Sequence, residues 1–397
     1  MATLACPYCY VRINLRAPWF RCTGRKPPGK VACQRQYDEA QERELGRREM
    51  VLPSFPAQGR GFRPVNEATC PDCGMVSGIK VCPNCHNRLP ATFGEGSSPL
   101  IAMAGAKNTG KTVYLRVLAN QLRNGMGRRF DADVRLAGDI QFRSEGEGGL
   151  GFGAASAELF PNRGLYAQTA QAVAGRREPM VFAWRQRRRL TGFDTTFLSF
   201  FDTAGEDLTD QDTVDNLGYL GAADALILLL DPFMIPQARD QISLPAEALN
   251  TGTSTLDVVN RVTENLRTSH RLGGKKNIPI PVAVAFAKID AFFDVLGQDH
   301  PLVRRPEPGP FYDDQAGRST HEQVRALLHD WGADDIDTHL NHNYKNFRYF
   351  AVSALGAEPD YRANLIDERG VQPFRVDEPL LWLLSQFNVV PRSRTAR

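Results

Sequence analysis

Past residue 85 the chain has no cysteine, and nowhere does it hold an apolar run approaching the roughly 20 residues that a bilayer-crossing helix needs. These two absences exclude a disulfide framework for most of the chain and a transmembrane span. Low-complexity tracts are missing too, as are internal repeats other than two sets of cysteine knuckles. No charged start leads into an apolar stretch and a cleavage site, so no secretory signal is read and a cytoplasmic location is expected. Net charge is small, +3 over 397 residues. Hydrophobic content of 42% with 23% charged residues describes a soluble globular protein rather than a disordered one. The length leaves room for about two or three domains.

The small net charge hides an asymmetry. Residues 1–99 carry 14 Lys and Arg against 8 Asp and Glu, a balance of +6, and the remainder carries 34 against 37, a balance of −3. A basic module therefore precedes a slightly acidic body, which suits contact with nucleic acid or with an acidic protein surface without choosing between them. All eight cysteines lie in the basic module, and without a secretory signal this reads as metal ligation. Cys70, Cys73, Cys82 and Cys85 form CxxC-x8-CxxC, two knuckles that would present four thiolates to one tetrahedral zinc ion. Cys6 and Cys9 form a third knuckle which, with the single Cys22 and Cys33, predicts a second zinc site; free buried thiols are the alternative. His86, beside Cys85, is expected to be a bystander. Zinc supplies the folding free energy of modules this small, on the order of 10 kcal/mol or more. The expected organisation is a zinc module over 1–38, a helix and linker over 39–66, a zinc ribbon over 67–93, a linker over 94–99 and a body over 100–392.

That body opens on Gly105-Ala106-Lys107-Asn108-Thr109-Gly110-Lys111-Thr112, which fits the phosphate-binding pattern GxxxxGKS/T. A strand-length apolar run, 100–104, precedes it and helical spacing over 113–122 follows, which is the setting the pattern requires. In such a loop backbone N–H groups face phosphate oxygens at the positive end of a helix dipole. Lys111 would reach the β- and γ-phosphates and Thr112 would ligate Mg²⁺. After a Gly- and Ala-rich insertion over 125–175, strand-like runs at 180–190 and 195–201 predict a hairpin. Its second strand leads into Asp202-Thr203-Ala204-Gly205-Glu206, a carboxylate and a glycine placed for a γ-phosphate. Apolar strands at 225–230, 280–286 and 347–352 alternate with helical patterns at 255–272, 320–331 and 378–387. The alternation predicts an α/β fold, a three-layer, mostly parallel sheet with an antiparallel edge hairpin, whose ligand residues sit just past the carboxyl ends of strands.

With these motifs in order, residues 100 to 390 resemble a Ras-like P-loop GTPase of the translation-factor-related class. The resemblance implies GTP and GDP as ligands and GTP hydrolysis as the activity. Gly105, Ala106, Asn108, Thr109, Gly110, Lys111 and Thr112 would surround the phosphates, and Asp202 would hold Mg²⁺ through water. Gly205 would sense the γ-phosphate, Lys288 would pack along the base, Asp290 would read the guanine edge, and Ser353 and Ala354 would close over it. Thr169 is the candidate switch threonine on Mg²⁺. Paired CxxC ribbons ahead of such a domain, with the closing segment Val376-Asp377-Glu378-Pro379-Leu380-Leu381-Trp382-Leu383-Leu384, are similar to bacterial double-GTPase conflict systems. That likeness implies a protein partner for the ribbons, a second GTPase.

Three positions depart from the resemblance. Ala287 stands where the base-reading motif usually begins with Asn or Thr, Glu206 stands in place of the water-orienting Gln, and no short loop fixes Thr169. Slow turnover follows, because a carboxylate faces the γ-phosphate. Asn108 sits where potassium-stimulated GTPases hold K⁺, although an Asn also suits turn geometry. Lys107 would project to the side where an arginine finger enters, a solvated surface lysine being the alternative. Arg185, Arg187, Arg188 and Arg189 read as edge-strand protection or as a docking strip, and His339 with His342 as a surface pair. The expected function is a guanine-nucleotide switch whose zinc ribbons recognise a partner. The alternatives are a zinc-ribbon nucleic-acid-binding protein gated by nucleotide and an ATP-driven assembly factor.

Overall fold

The computed structural model describes residues 3–25, 28–57, 65–136, 164, 180–187, 192–202, 219–245, 248, 254–273 and 276–393. Its packing divides the chain into two units: Met1–Leu100 with Arg135–Gly153 and Ala172–Phe201, and Ile101–Val134 with Ala154–Gln171 and Asp202–Arg397. The architecture is mixed α/β, with a seven-stranded, mostly parallel sheet and Cys-rich N-terminal modules.

In the first unit short strands bracket cysteine turns. β1 (Thr3–Ala5) and β2 (Arg12–Asn14) pair antiparallel on either side of the first knuckle. β3 (Trp19–Arg21) pairs with both β6 (Ser54–Pro56) and β9 (Lys80–Val81). β4 (Gln36–Tyr37) and β5 (Met50–Val51) form a two-stranded ribbon, as do β7 (Ala68–Thr69) and β8 (Val76–Ser77). Between β4 and β5 lies the helix α1 (Glu39–Leu45). The Asp38 carboxylate accepts from Ala40 N and Gln41 N at its start, and Gly46 in the left-handed region (φ 66°) ends it. The hairpin of β12 (Met180–Arg187) and β13 (Phe193–Asp202) belongs to this unit up to Phe201. Residues 96–99 run alongside it: Phe197 N donates to Ser97 O at 3.1 Å, and a Cβ on Gly96 would lie 2.2 Å from Thr195 O, so only glycine fits.

The second unit is organised by an apolar parallel sheet. β10 (Leu100–Ala104), β14 (Ala225–Leu230), β15 (Val282–Phe286) and β16 (Phe347–Ala351) run parallel, with Ile101 opposite Ala225, Leu226 opposite Val282 and Val282 opposite Phe347. Every residue of β10, β14 and β15 is buried, as expected for strands covered on both faces, and this explains their unbroken apolar runs. Helices α2 (Lys111–Gln121), α3 (Thr255–Ser269), α4 (Asp314–Asp330), α5 (Asp334–Asn343) and α6 (Glu378–Gln386) complete it. α4 begins six residues before the helical pattern read at 320, because Asp313 caps it by accepting from Gln315 N and Ala316 N. α5 and β11 (Ala132–Leu136) were absent from the sequence reading. β11 has a single buried side chain, Val134, and a strand so polar gives little apolar signal.

The closing segment has a packing role. Arg375, 7% exposed, donates from Nε and Nη2 to the Glu378 carboxylate at 2.6 and 2.9 Å and also bonds Thr320 Oγ1, joining α6 to α4. Tyr114 of α2 donates to Val376 O at 2.9 Å, and Arg129 pairs with Asp377 at 2.8 Å. No described helix is long and apolar enough to cross a membrane.

Candidate functional site

The phosphate-binding pattern lies where β10 hands over to α2. A Cβ on Gly105 would come 2.4 Å from Leu229 O, so the loop's first position must be glycine for β10 and β14 to pair as they do. Gly110 caps α2 in the left-handed region (φ 85°) with no side-chain cap, and Asn108 also has positive φ (63°). An uncapped helix start exposes its first N–H groups to an anion. Lys111 Nζ folds back onto the loop, donating to Gly105 O at 2.8 Å and Ala106 O at 2.6 Å, while Thr109 Oγ1 donates to Ala106 O at 2.9 Å. Lys111 is buried and Lys107 exposed. Thr112 follows Lys111 in the first turn of α2.

Past the carboxyl ends of the neighbouring strands the loops meet. Asp231, which ends the β14 run and which the sequence reading left without a role, is 2% exposed. Its Oδ1 accepts from Phe233 N at 3.0 Å and its Oδ2 pairs with Lys288 Nζ at 2.6 Å, the ammonium lying 4.8 Å from the Phe233 ring centre. Lys288 is in the left-handed region (φ 56°). Burial raises the pKa of Asp290 above its ordinary value, against a hydrogen bond with Ser353. Ser353 is itself buried and its Oγ accepts from Gly356 N at 2.8 Å. Ile289 N donates to Val352 O at 3.2 Å, joining the two loops, and Ala354 follows half-buried. The side chain of Asp202 and the whole of Thr169, Gly205 and Glu206 lie outside the described residues, as do Arg188 and Arg189. Arg185 packs 3.9 Å over the Phe193 ring. His339 is half-buried, its Nε2 2.9 Å from Thr263 Oγ1, rather than a surface residue.

The eight thiols converge into two tetrads, and their membership corrects the reading by proximity. Cys6, Cys9, Cys82 and Cys85 form one, and Cys22, Cys33, Cys70 and Cys73 the other. The sites are nested along the chain, because antiparallel pairing of β3 with β9 brings the two ends of the module together and leaves the middle knuckle to the single cysteines. Sulfur pairs stand 3.9 Å (Cys6 and Cys85) and 3.6 Å (Cys9 and Cys82) apart in the outer site, and 3.6 Å (Cys22 and Cys73) and 3.8 Å (Cys33 and Cys70) in the inner. Zinc at about 2.3 Å from each sulfur demands a tetrahedral edge of about 3.8 Å, so both tetrads fit two zinc ions.

Each knuckle is shaped for that task. Cys6 N donates to Val11 O at 2.9 Å, Cys70 N to Met75 O at 2.8 Å and Cys82 N to Asn87 O at 2.9 Å, closing each turn. Tyr10, Gly74 and His86, the residues after the second thiol, all take positive φ. Burial pushes the Cys6 thiol well up, its hydrogen bond holds Cys9 well below the usual thiol range, and the Met75 backbone brings Cys73 down to about 7. Zinc ligation would require the thiols to lose their protons. His86 is no ligand: its Nδ1 lies 3.0 Å from the Asp38 carboxylate and its ring stacks on Trp19. The outer tetrad shares a buried cluster with Leu89, Phe93, Val181 and Phe197.

No family model matches the chain. Over 354 residues it is 30% identical to "Putative ESX-1 scaffolding and assembly protein SaeC" of Mycolicibacterium smegmatis, covering 82% of this chain and 84% of that protein. The chain belongs to the SaeC family. This corrects the expected guanine-nucleotide switch, since a relative matched over most of both chains is named for scaffolding and assembly and not as a GTPase. The error arose from four loop motifs, which specify a site and leave open what the whole protein does with it.

Proposed function

We propose that this SaeC-family protein is an assembly factor, a scaffold that engages partner proteins through its zinc module and uses ATP at the Gly105–Thr112 loop to drive or gate that engagement. The observation that carries the reading is the match to SaeC, which at 82% of the chain is too long to be confined to residues 100–397. Two zinc ions would hold the module's short strands in a fixed shape, which a scaffold needs at low conformational entropy cost. At the loop Lys111 would leave Gly105 O and Ala106 O for phosphate oxygens, and Thr112 would ligate Mg²⁺. The missing polar side chain at Ala287 removes one support of a dedicated guanine reader and leaves room for the ATP alternative.

The test is complementation. In Mycolicibacterium smegmatis lacking SaeC, this chain should restore the ESX-1 assembly seen by native electrophoresis. Lys111→Ala and the paired Cys9→Ser, Cys82→Ser variant should not. A stably expressed wild-type chain that leaves the assembly unrestored overturns the reading. Retention of ATP and GTP measured side by side tests the nucleotide separately: no ATP retained removes the drive and leaves the scaffold.

A further inference from the structure

The two tetrads differ in how their sulfurs are sheltered. Around the outer one, Pro7 and Tyr8 between Cys6 and Cys9 are buried, Pro83 and Asn84 between Cys82 and Cys85 are half-buried, and the site shares its cluster with Leu89, Phe93, Val181 and Phe197. Around the inner one, Pro71 and Asp72 between Cys70 and Cys73 are exposed, and so is Gly74. Donors to sulfur divide in the same way. Tyr8 N donates to Cys6 Sγ at 3.4 Å, Asn84 N to Cys82 Sγ at 3.4 Å and Asn84 Nδ2 to Cys9 Sγ at 3.5 Å, so the half-buried Cys9 is among the bonded sulfurs. In the inner tetrad Gly24 N donates to Cys22 Sγ at 3.4 Å and the Met75 backbone bonds Cys73, but among the described residues no N–H reaches the sulfur of Cys33 or Cys70. Those two sulfurs stand 3.8 Å apart, and Cys33 is half-buried in an irregular stretch, 31–35. An N–H bond to a metal thiolate withdraws electron density from sulfur and damps its nucleophilicity. Oxidation selects thiolates that are accessible and stand beside a second thiol.

We propose that Cys33 is a modification site for hydroperoxides, with Cys70 as the thiol that resolves it, and that its oxidation unloads the inner zinc site while the outer one holds. The Cys33 thiolate would attack one oxygen of hydrogen peroxide and break the O–O bond, so that its sulfur becomes a sulfenic acid and hydroxide leaves. The Cys70 thiolate would then attack the sulfenic sulfur, forming the Cys33–Cys70 disulfide and expelling a second hydroxide. Two electrons pass from the two sulfurs to the peroxide, and zinc keeps its oxidation state. Cys22 and Cys73 are then the remaining thiolates, half of what a closed zinc site needs. The strands β7 and β8, which flank Cys70 and Cys73, would lose the ion that fixes them, whereas the outer tetrad keeps its full set. The proposal rests on both tetrads holding zinc and is independent of the assembly reading.

Graded hydrogen peroxide added to the full zinc-loaded chain tests it, with ions counted by mass spectrometry under native conditions and disulfides mapped after free thiols are blocked with N-ethylmaleimide. One zinc ion should leave at least tenfold faster than the other. At that stage the map should show Cys33 joined to Cys70, with Cys6, Cys9, Cys82 and Cys85 all blocked as free thiols. Dithiothreitol with added zinc should restore two ions. Cys33→His, which keeps a fourth ligand and removes the thiolate, should hold two ions and slow the first loss at least tenfold. No loss of zinc, loss of both ions at one rate, a first disulfide within the outer tetrad or between Cys22 and Cys73, or release from a two-ion Cys33→His chain as fast as from the wild type would overturn the proposal. A chain that carries fewer than two ions before peroxide is added overturns it together with the two-zinc reading.

Discussion

The zinc module builds its sheets from strands of two or three residues, whereas β10, β14, β15 and β16 of the second unit have five or six. Leu226, Ile227, Leu228 and Leu229 in β14 are wholly inaccessible, and so are Ala283, Val284 and Ala285 in β15. In the module the wholly inaccessible side chains include Cys6, Cys22, Cys82 and Cys85. Strands so short cannot bury enough apolar surface to offset their conformational entropy, and metal bonds replace the missing hydrophobic term. The second unit needs no such substitute. Two stability mechanisms therefore share one chain, and they respond to different perturbations.

Zinc removal should produce the largest effect. Chelation at neutral pH should expose the backbone amides of residues 3–93 to hydrogen exchange while those of β10, β14, β15 and β16 stay protected, because each site contributes on the order of 10 kcal/mol. Uniform loss of protection would break the comparison.

The nested membership of the sites gives the next largest. Cys9 and Cys82 belong to one tetrad, so Cys9→Ser with Cys82→Ser should leave one zinc per chain by mass spectrometry under native conditions. Sites grouped by proximity in sequence would leave none, and that stoichiometry would retire the nested arrangement.

In the second unit Leu228→Ala, at a site with no exposure, should cost about 2–5 kcal/mol by denaturant unfolding through lost burial and a cavity. Zinc content should stay at two, whereas a fall in zinc would show that the core and the module do not stand on separate terms.

The smallest effect is one of pH. Burial lowers the pKa of His321 from its ordinary 6.5, and its Nδ1 accepts from Tyr349 N at 3.1 Å, a bond that protonation abolishes. The unfolded state binds the proton more readily, so His321 contributes fully above its unfolded pKa and its contribution is lost as pH falls toward the folded value. Unfolding followed from pH 7 down to pH 5 should show stability declining, and His321→Asn should flatten the slope. An unchanged slope would place the acid sensitivity elsewhere.

Residue pattern alone located β10 and β14 to the residue, because a strand buried on both faces leaves an apolar run bounded by polar loop residues. It also marked Gly110, which answers a local backbone demand as the left-handed cap of α2, whereas Gly105 answers a close approach of Leu229 O from a strand far along the chain. Cysteine spacing announced two metal sites. Which thiols share an ion was decided by the pairing of β3 with β9, a contact between segments some 60 residues apart that no local spacing encodes. The same holds for Asp231, whose bond to Lys288 exists only once β14 and β15 lie side by side. Sequence determined the elements and their chemistry, since those depend on neighbours along the chain. Tertiary structure decided the partnerships, since ligation and ion pairing depend on which distant segments the sheets bring together.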